Sequence, residues 1–171
     1  MKKTSLIALL GLSSISLAFN LILFGGFSYA NPTGWALGLG VNQGSFESDI
    51  FVTYSGSNTA FNVIANLPFF TNPYFKTGPS VLYMYSNYTE NWTSTASLGA
   101  IIEHSTNDYS IKGGLYYPIN ASFNFSQNIY LEFRYILQPS GGRKFKDKLF
   151  FFLTYSHGFF RFGAALSEPI P

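Results

Sequence analysis

From Ser110 to Phe125 apolar and polar positions alternate along the chain. The odd positions read Ile111, Gly113, Leu115, Tyr117, Ile119, Ala121, Phe123 and Phe125. The even positions read Ser110, Lys112, Gly114, Tyr116, Pro118, Asn120, Ser122 and Asn124. Successive side chains of a strand point to opposite faces of a sheet, so a period of two predicts a strand with one apolar and one polar face. Further strands are predicted at Trp35–Asn42, Asp49–Ser55, Thr59–Leu67, Phe75–Ser86, Thr95–His104, Ile129–Leu137, Lys148–Tyr155 and Phe159–Leu166. Lys148–Tyr155 is nearly all apolar, which leaves its register open.

These segments make an odd number, whereas single-chain bacterial barrels have an even one. Strands of roughly 10 residues favour eight in all, with ten as the alternative at the cost of very short loops. Pro118 has no N–H to give to a ladder, so the strand through it is expected to bend, bulge or end there. Ser55-Gly56-Ser57-Asn58, Ser126-Gln127-Asn128 and Ser156-His157-Gly158 read as tight periplasmic turns. Asn42–Glu47, Pro68–Tyr74 and Gln138–Asp147 are longer and are expected at the cell surface. Ser86–Ser94 is long for a turn on the periplasmic side.

The start of the chain has the pattern of an export leader: Lys2 and Lys3, a largely apolar run from Leu6 to Phe27, then Ser28-Tyr29-Ala30 with small residues at the cleavage positions. The expected division is a signal peptide over 1–30 and a barrel domain over 31–171. Ser16-Leu17-Ala18 is a second cleavage motif, disfavoured because it would leave Leu21-Ile22-Leu23-Phe24 as an apolar stub. The run is also long enough, at roughly 20 residues, for an uncleaved anchor helix.

Composition decides which face meets water. Charged residues are 11% of the chain, against ~25% in ordinary soluble domains, and aromatics are 19%. A soluble barrel keeps its apolar face inside and needs a well-solvated outer wall. Here the polar face is mostly Ser, Asn, Thr, Gly and Tyr, which suits a small packed lumen. The net charge of +2 is matched by Lys2 and Lys3, so the remainder is formally neutral and no nucleic-acid partner is expected. Without cysteine there are no disulfides or thiolate metal sites. No apolar run after Ala30 reaches the length of a helical span, so an integral chain must cross as strands. The expected fold is all-β: an antiparallel up-and-down transmembrane β-barrel in the outer membrane of a Gram-negative bacterium. Its expected surroundings are outer-membrane lipid and lipopolysaccharide, its route the outer-membrane assembly machinery, and its state a monomer.

The stretch Lys112-Gly113-Gly114-Leu115-Tyr116-Tyr117, a turn, then Tyr130-Leu131-Glu132-Phe133-Arg134-Tyr135 resembles the Gly-rich strand and following Glu-x-Arg-Tyr strand of OmpA/OmpX-type porin-family barrels. Asn66-Leu67-Pro68 followed by that hairpin is also similar in order to the YfaZ-type group. The resemblance covers about a fifth of residues 31–171 and implies the barrel fold without a named activity. Such barrels usually finish on a terminal aromatic, whereas this chain runs on through Ser167-Glu168-Pro169-Ile170-Pro171.

Candidate chemistry lies on the polar faces. In the register above, Glu103, Lys112, Glu132, Arg134 and Arg161 point into the lumen, where charges must pair or stay hydrated. They are expected to form an ion-pair network plugging a narrow barrel; lining a small or gated pore is the alternative. Arg143, Lys144 and Lys146 in the Gln138–Asp147 loop are candidates for lipopolysaccharide phosphates, or simply a solvated loop. A lipid-modifying barrel enzyme would need a nucleophile with a base. His104 beside Glu103, Ser105 and Asp108, and His157 after Ser156, offer no such spacing, so catalysis, a cofactor and a metal site are not expected.

Overall fold

The computed structural model describes residues 19–29, 33–43, 46–89, 91–137 and 148–170. The strands are β1 (Phe19–Tyr29), β2 (Gly34–Gln43), β3 (Phe46–Ser55), β4 (Asn58–Asn66), β5 (Phe70–Asn72), β6 (Phe75–Thr89), β7 (Asn91–Ser105), β8 (Tyr109–Pro118), β9 (Ile129–Leu137), β10 (Lys148–Ser156) and β11 (Phe159–Ile170). Strands adjacent in sequence pair antiparallel, except that β4 pairs with β6 rather than with β5, and β1 pairs with β11. Those two pairings close an antiparallel barrel of ten strands, and β5 is a short flap hydrogen-bonded to the start of β6. No helix long and apolar enough to cross a membrane is found among the described residues.

Every strand expected from the alternation is present, and Ile129–Leu137 has the expected bounds. The barrel has ten strands, the alternative count, rather than the favoured eight. All nine expected segments contribute a strand, and the tenth is β1, over residues expected to lie within a leader ending at Ala30. Its inner face carries Ile22 and Phe24, which pack against Phe51, Phe150 and Phe152. Both faces of the strand are therefore apolar, and no alternation shows. The stub Leu21-Ile22-Leu23-Phe24 is thus part of the wall.

Some expected loops shorten for the same reason, that strands run further than their patterns. Asn42–Glu47 falls largely within β2 and β3, and Ser86–Ser94 within β6 and β7, with an irregularity between Ser86 and Thr89. The Ser110–Phe125 alternation stops being a strand at Pro118. Beyond it Asn124 organises a turn, its side-chain oxygen accepting from the Ser126 N–H and hydroxyl. The β10–β11 turn has His157 and Gly158 both at positive φ, the two-residue geometry whose twist suits a hairpin.

The outer wall is apolar. Leu37, Ile50, Leu98, Ile102, Ile111, Leu115, Leu131 and Phe151 face outward and exposed around the ring, and Tyr29, Trp35, Tyr54 and Tyr117 stand near one rim. The inner wall is mixed: polar side chains beside two apolar clusters, one around Phe24 and Phe152, the other joining Ile64, Leu82, Ile101, Tyr116 and Tyr130.

Candidate functional site

Inward glycines leave room for bulky lumen groups. A Cβ on Gly40 would meet the Asp49 carboxylate, one on Gly38 the Phe51 ring, and one on Gly99 or Gly114 the Tyr116 ring. A ten-stranded barrel is wider than the eight-stranded one that ordinary side chains just fill. Glycine opposite Asp49, Phe51 and Tyr116 gives those inward side chains room that a Cβ would take.

The charged groups form one connected chain. Lys76 pairs with Glu47, and Lys112 Nζ lies 2.9 Å from Glu47 Oε2, 3.5 Å from Glu103 Oε2 and 3.7 Å from Glu132 Oε1. Glu132 Oε2 then accepts from Arg134 Nη2 at 2.9 Å, and the same nitrogen donates to Asp49 Oδ2 at 2.7 Å. The Tyr130 hydroxyl donates to Glu132 Oε2 at 2.8 Å, and Ser105 Oγ to Glu103 Oε1 at 2.7 Å. Lys112 is only 4% exposed. Arg134 also lies over the Phe24 and Phe150 rings, at 5.3 and 5.4 Å, which couples the charged half of the lumen to its aromatic half.

Arg161 stands apart from this chain. Fully buried, it donates from Nε to Thr53 Oγ1 and from Nη1 to Ser156 Oγ, each at 3.0 Å, and packs against the Phe51 and Phe159 rings. The structure brings Glu103, Lys112, Glu132 and Arg134 together and seats Arg161 against Thr53, Ser156 and the Phe51 and Phe159 rings. It adds Glu47, Asp49 and Lys76, which the sequence reading did not single out. The signal for two of them was present: Asp49 shares a strand face with Phe51 and Thr53, and Glu47 precedes it by two. Arg143, Lys144 and Lys146 lie outside the described residues.

The histidines are not arranged around a nucleophile. His104 faces outward near Tyr109, while Glu103 faces the lumen. His157 is buried in the β10–β11 turn, and neither ring nitrogen has a hydrogen-bond partner. The Ser156 hydroxyl beside it is engaged by Arg161. Burial first, and then the Arg161 charge, lower the His157 pKa from 6.5 to about 4, so its ring is neutral at pH 7.

The geometry as a whole defines a closed antiparallel β-barrel with a buried ion-pair network on its inner wall. Comparison with protein-family models, curated proteins and solved structures gave no match to the chain.

Proposed function

We propose that this protein is a non-catalytic outer-membrane β-barrel with a structural or surface role in the Gram-negative envelope, its polar lumen plugged. One observation carries the reading: the outer wall is apolar while the inner wall buries an ion-pair network, the inverse of a water-soluble barrel. Soluble monomers rarely expose contiguous apolar area beyond a few hundred Å², whereas here apolar side chains face outward on every side. Lipid is the solvent that such a wall fits, and a closed ring leaves no strand edge unsatisfied in hydrocarbon. The aromatic side chains near the rims suit the headgroup level. The plug reading is supported by the buried ion-pair network through Lys112 and Arg134 and by the inward cluster of Phe24, Phe51 and Phe152.

The test is fractionation followed by gel migration with and without boiling in detergent, then planar-bilayer recording. The expected result is an outer-membrane protein whose unboiled band runs faster and which passes no current. Recovery as a soluble protein would remove the membrane reading. Regular current steps would replace the structural role with that of a narrow channel.

A further inference from the structure

The first thirty residues contain two Ser-x-Ala motifs, Ser16-Leu17-Ala18 and Ser28-Tyr29-Ala30, and they differ in what they would remove. Cleavage after Ala30 removes β1 entirely. That strand pairs with β11 from Tyr29↔Phe160 through Phe19↔Ile170, and with β2 from Ser28↔Gly34 through Asn20↔Asn42. Its loss would expose the facing edges of β2 and β11. Because both run antiparallel to β1, they are parallel to each other, so nine strands could not reclose by antiparallel pairing. In hydrocarbon those unpaired N–H and C=O groups would each cost several kcal/mol. The inner cluster would also lose Ile22 and Phe24.

The seam between β1 and β11 is built for close approach. A Cβ on Gly26 would strike the Phe162 carbonyl, and one on Gly163 the Gly25 carbonyl. Outside it, Phe27 packs between Trp35 of β2 and Phe162 of β11, with ring centroids 4.5 and 6.0 Å away. Such mutual fit belongs to a permanent strand.

The other motif ends immediately before β1. Removing residues up to Ala18 leaves Leu6 to Leu12 as the apolar core of the leader, within the 7–15 residues usual for one, and leaves all ten strands intact. Resting on the reading of this chain as an exported barrel, we propose that a leader peptidase hydrolyses the Ala18–Phe19 bond and spares Ala30. Water supplies the hydroxyl to the Ala18 carboxyl and the hydrogen to the new Phe19 amine. The small residues at 16 and 18 are the recognition determinants, and Phe19 becomes the first residue of the wall.

The experiment is N-terminal sequencing and intact mass of the full-length gene product recovered from cell envelopes, with localisation and heat-modifiable migration scored separately. Phe19 as the first residue is the expected result; Asn31 or Met1 would overturn the proposal. A18F should accumulate unprocessed precursor, and A30F should be processed at Phe19 like the parent. Processing of A18F unchanged, or blockage by A30F, would also overturn it. A Phe19 terminus on a protein that does not fractionate with the outer membrane would uphold the cleavage site and defeat the membrane reading. The reverse result would uphold the membrane reading alone.

Discussion

Lys112 illustrates how much one side chain holds. It is buried within 4 Å of Glu47, Glu103 and Glu132, so K112M would leave three carboxylates without their shared cation. Removing one partner of a buried pair typically destabilises by about 3–5 kcal/mol. The expected outcome is a marked fall in the temperature at which the unboiled gel band loses its shift. His157 sets a different dependence. Its folded pKa of about 4 lies below the unfolded 6.5, so the folded state binds fewer protons at intermediate pH. That contribution to stability is full above the unfolded value and is lost as pH falls from about 6.5 towards 4, at most about 3 kcal/mol. H157N tolerates the positive φ and should remove this part of the acid sensitivity, seen by comparing the two proteins' urea midpoints across that range. At this scale the sequence was partly legible. Alternation put Glu103, Lys112, Glu132 and Arg134 on inner faces, but joining them to Asp49 required knowing that β3 and β9 face each other across the lumen.

Strands with one polar and one apolar face were readable, and those lining the aromatic half of the lumen were not. In β10, Phe150 and Phe152 point inward while Phe151 and Leu153 point outward, which is why no register showed. In β1 the same cause made a wall strand look like the tail of a leader. Loops were misjudged where turn-forming residues sit inside strands: Asn87 accepts from the Thr59 N–H and donates to the Ser57 carbonyl, tying the top of β6 to the β3–β4 turn. The seam glycines give a test at this scale. G26V should fail to bring β1 against β11, because its side chain meets backbone that cannot give way. Gly25, beside it in sequence, has open space for a Cβ, so G25A should be tolerated. The expected contrast is loss of the fast-migrating band in G26V and its retention in G25A.

In sequence, charge is unevenly divided between the connections at the two ends of the barrel. One rim holds the Phe19 end of β1 and the Ile170 end of β11, and the connections 44–45, 67–74, 106–108 and 138–147 join strands at that rim. In sequence these carry Asp108, Arg143, Lys144, Lys146 and Asp147, with Lys148 and Glu168 close by. The other rim holds the connections at 30–33, 56–57, 90, 119–128 and 157–158, where Glu90 is the one Asp, Glu, Lys or Arg. A barrel entering from the periplasm must carry one rim through the hydrocarbon, and charged groups there cost about 2–4 kcal/mol each for Arg or Lys at the midplane. For the outer-membrane barrel proposed above, leading with the nearly uncharged rim would avoid that cost and would leave the Phe19 end of β1 and the Ile170 end of β11 on the periplasmic side. In that orientation the 138–147 connection, which in sequence carries Arg143, Lys144 and Lys146, would lie on the periplasmic side rather than beside lipopolysaccharide. Trypsin, which cuts after Lys and Arg, distinguishes the two arrangements. Added to intact cells it should leave the protein whole, and after permeabilisation of the outer membrane it should cut within 138–147. Cleavage in intact cells would reverse the orientation and restore the lipopolysaccharide contact, while leaving the barrel unchanged.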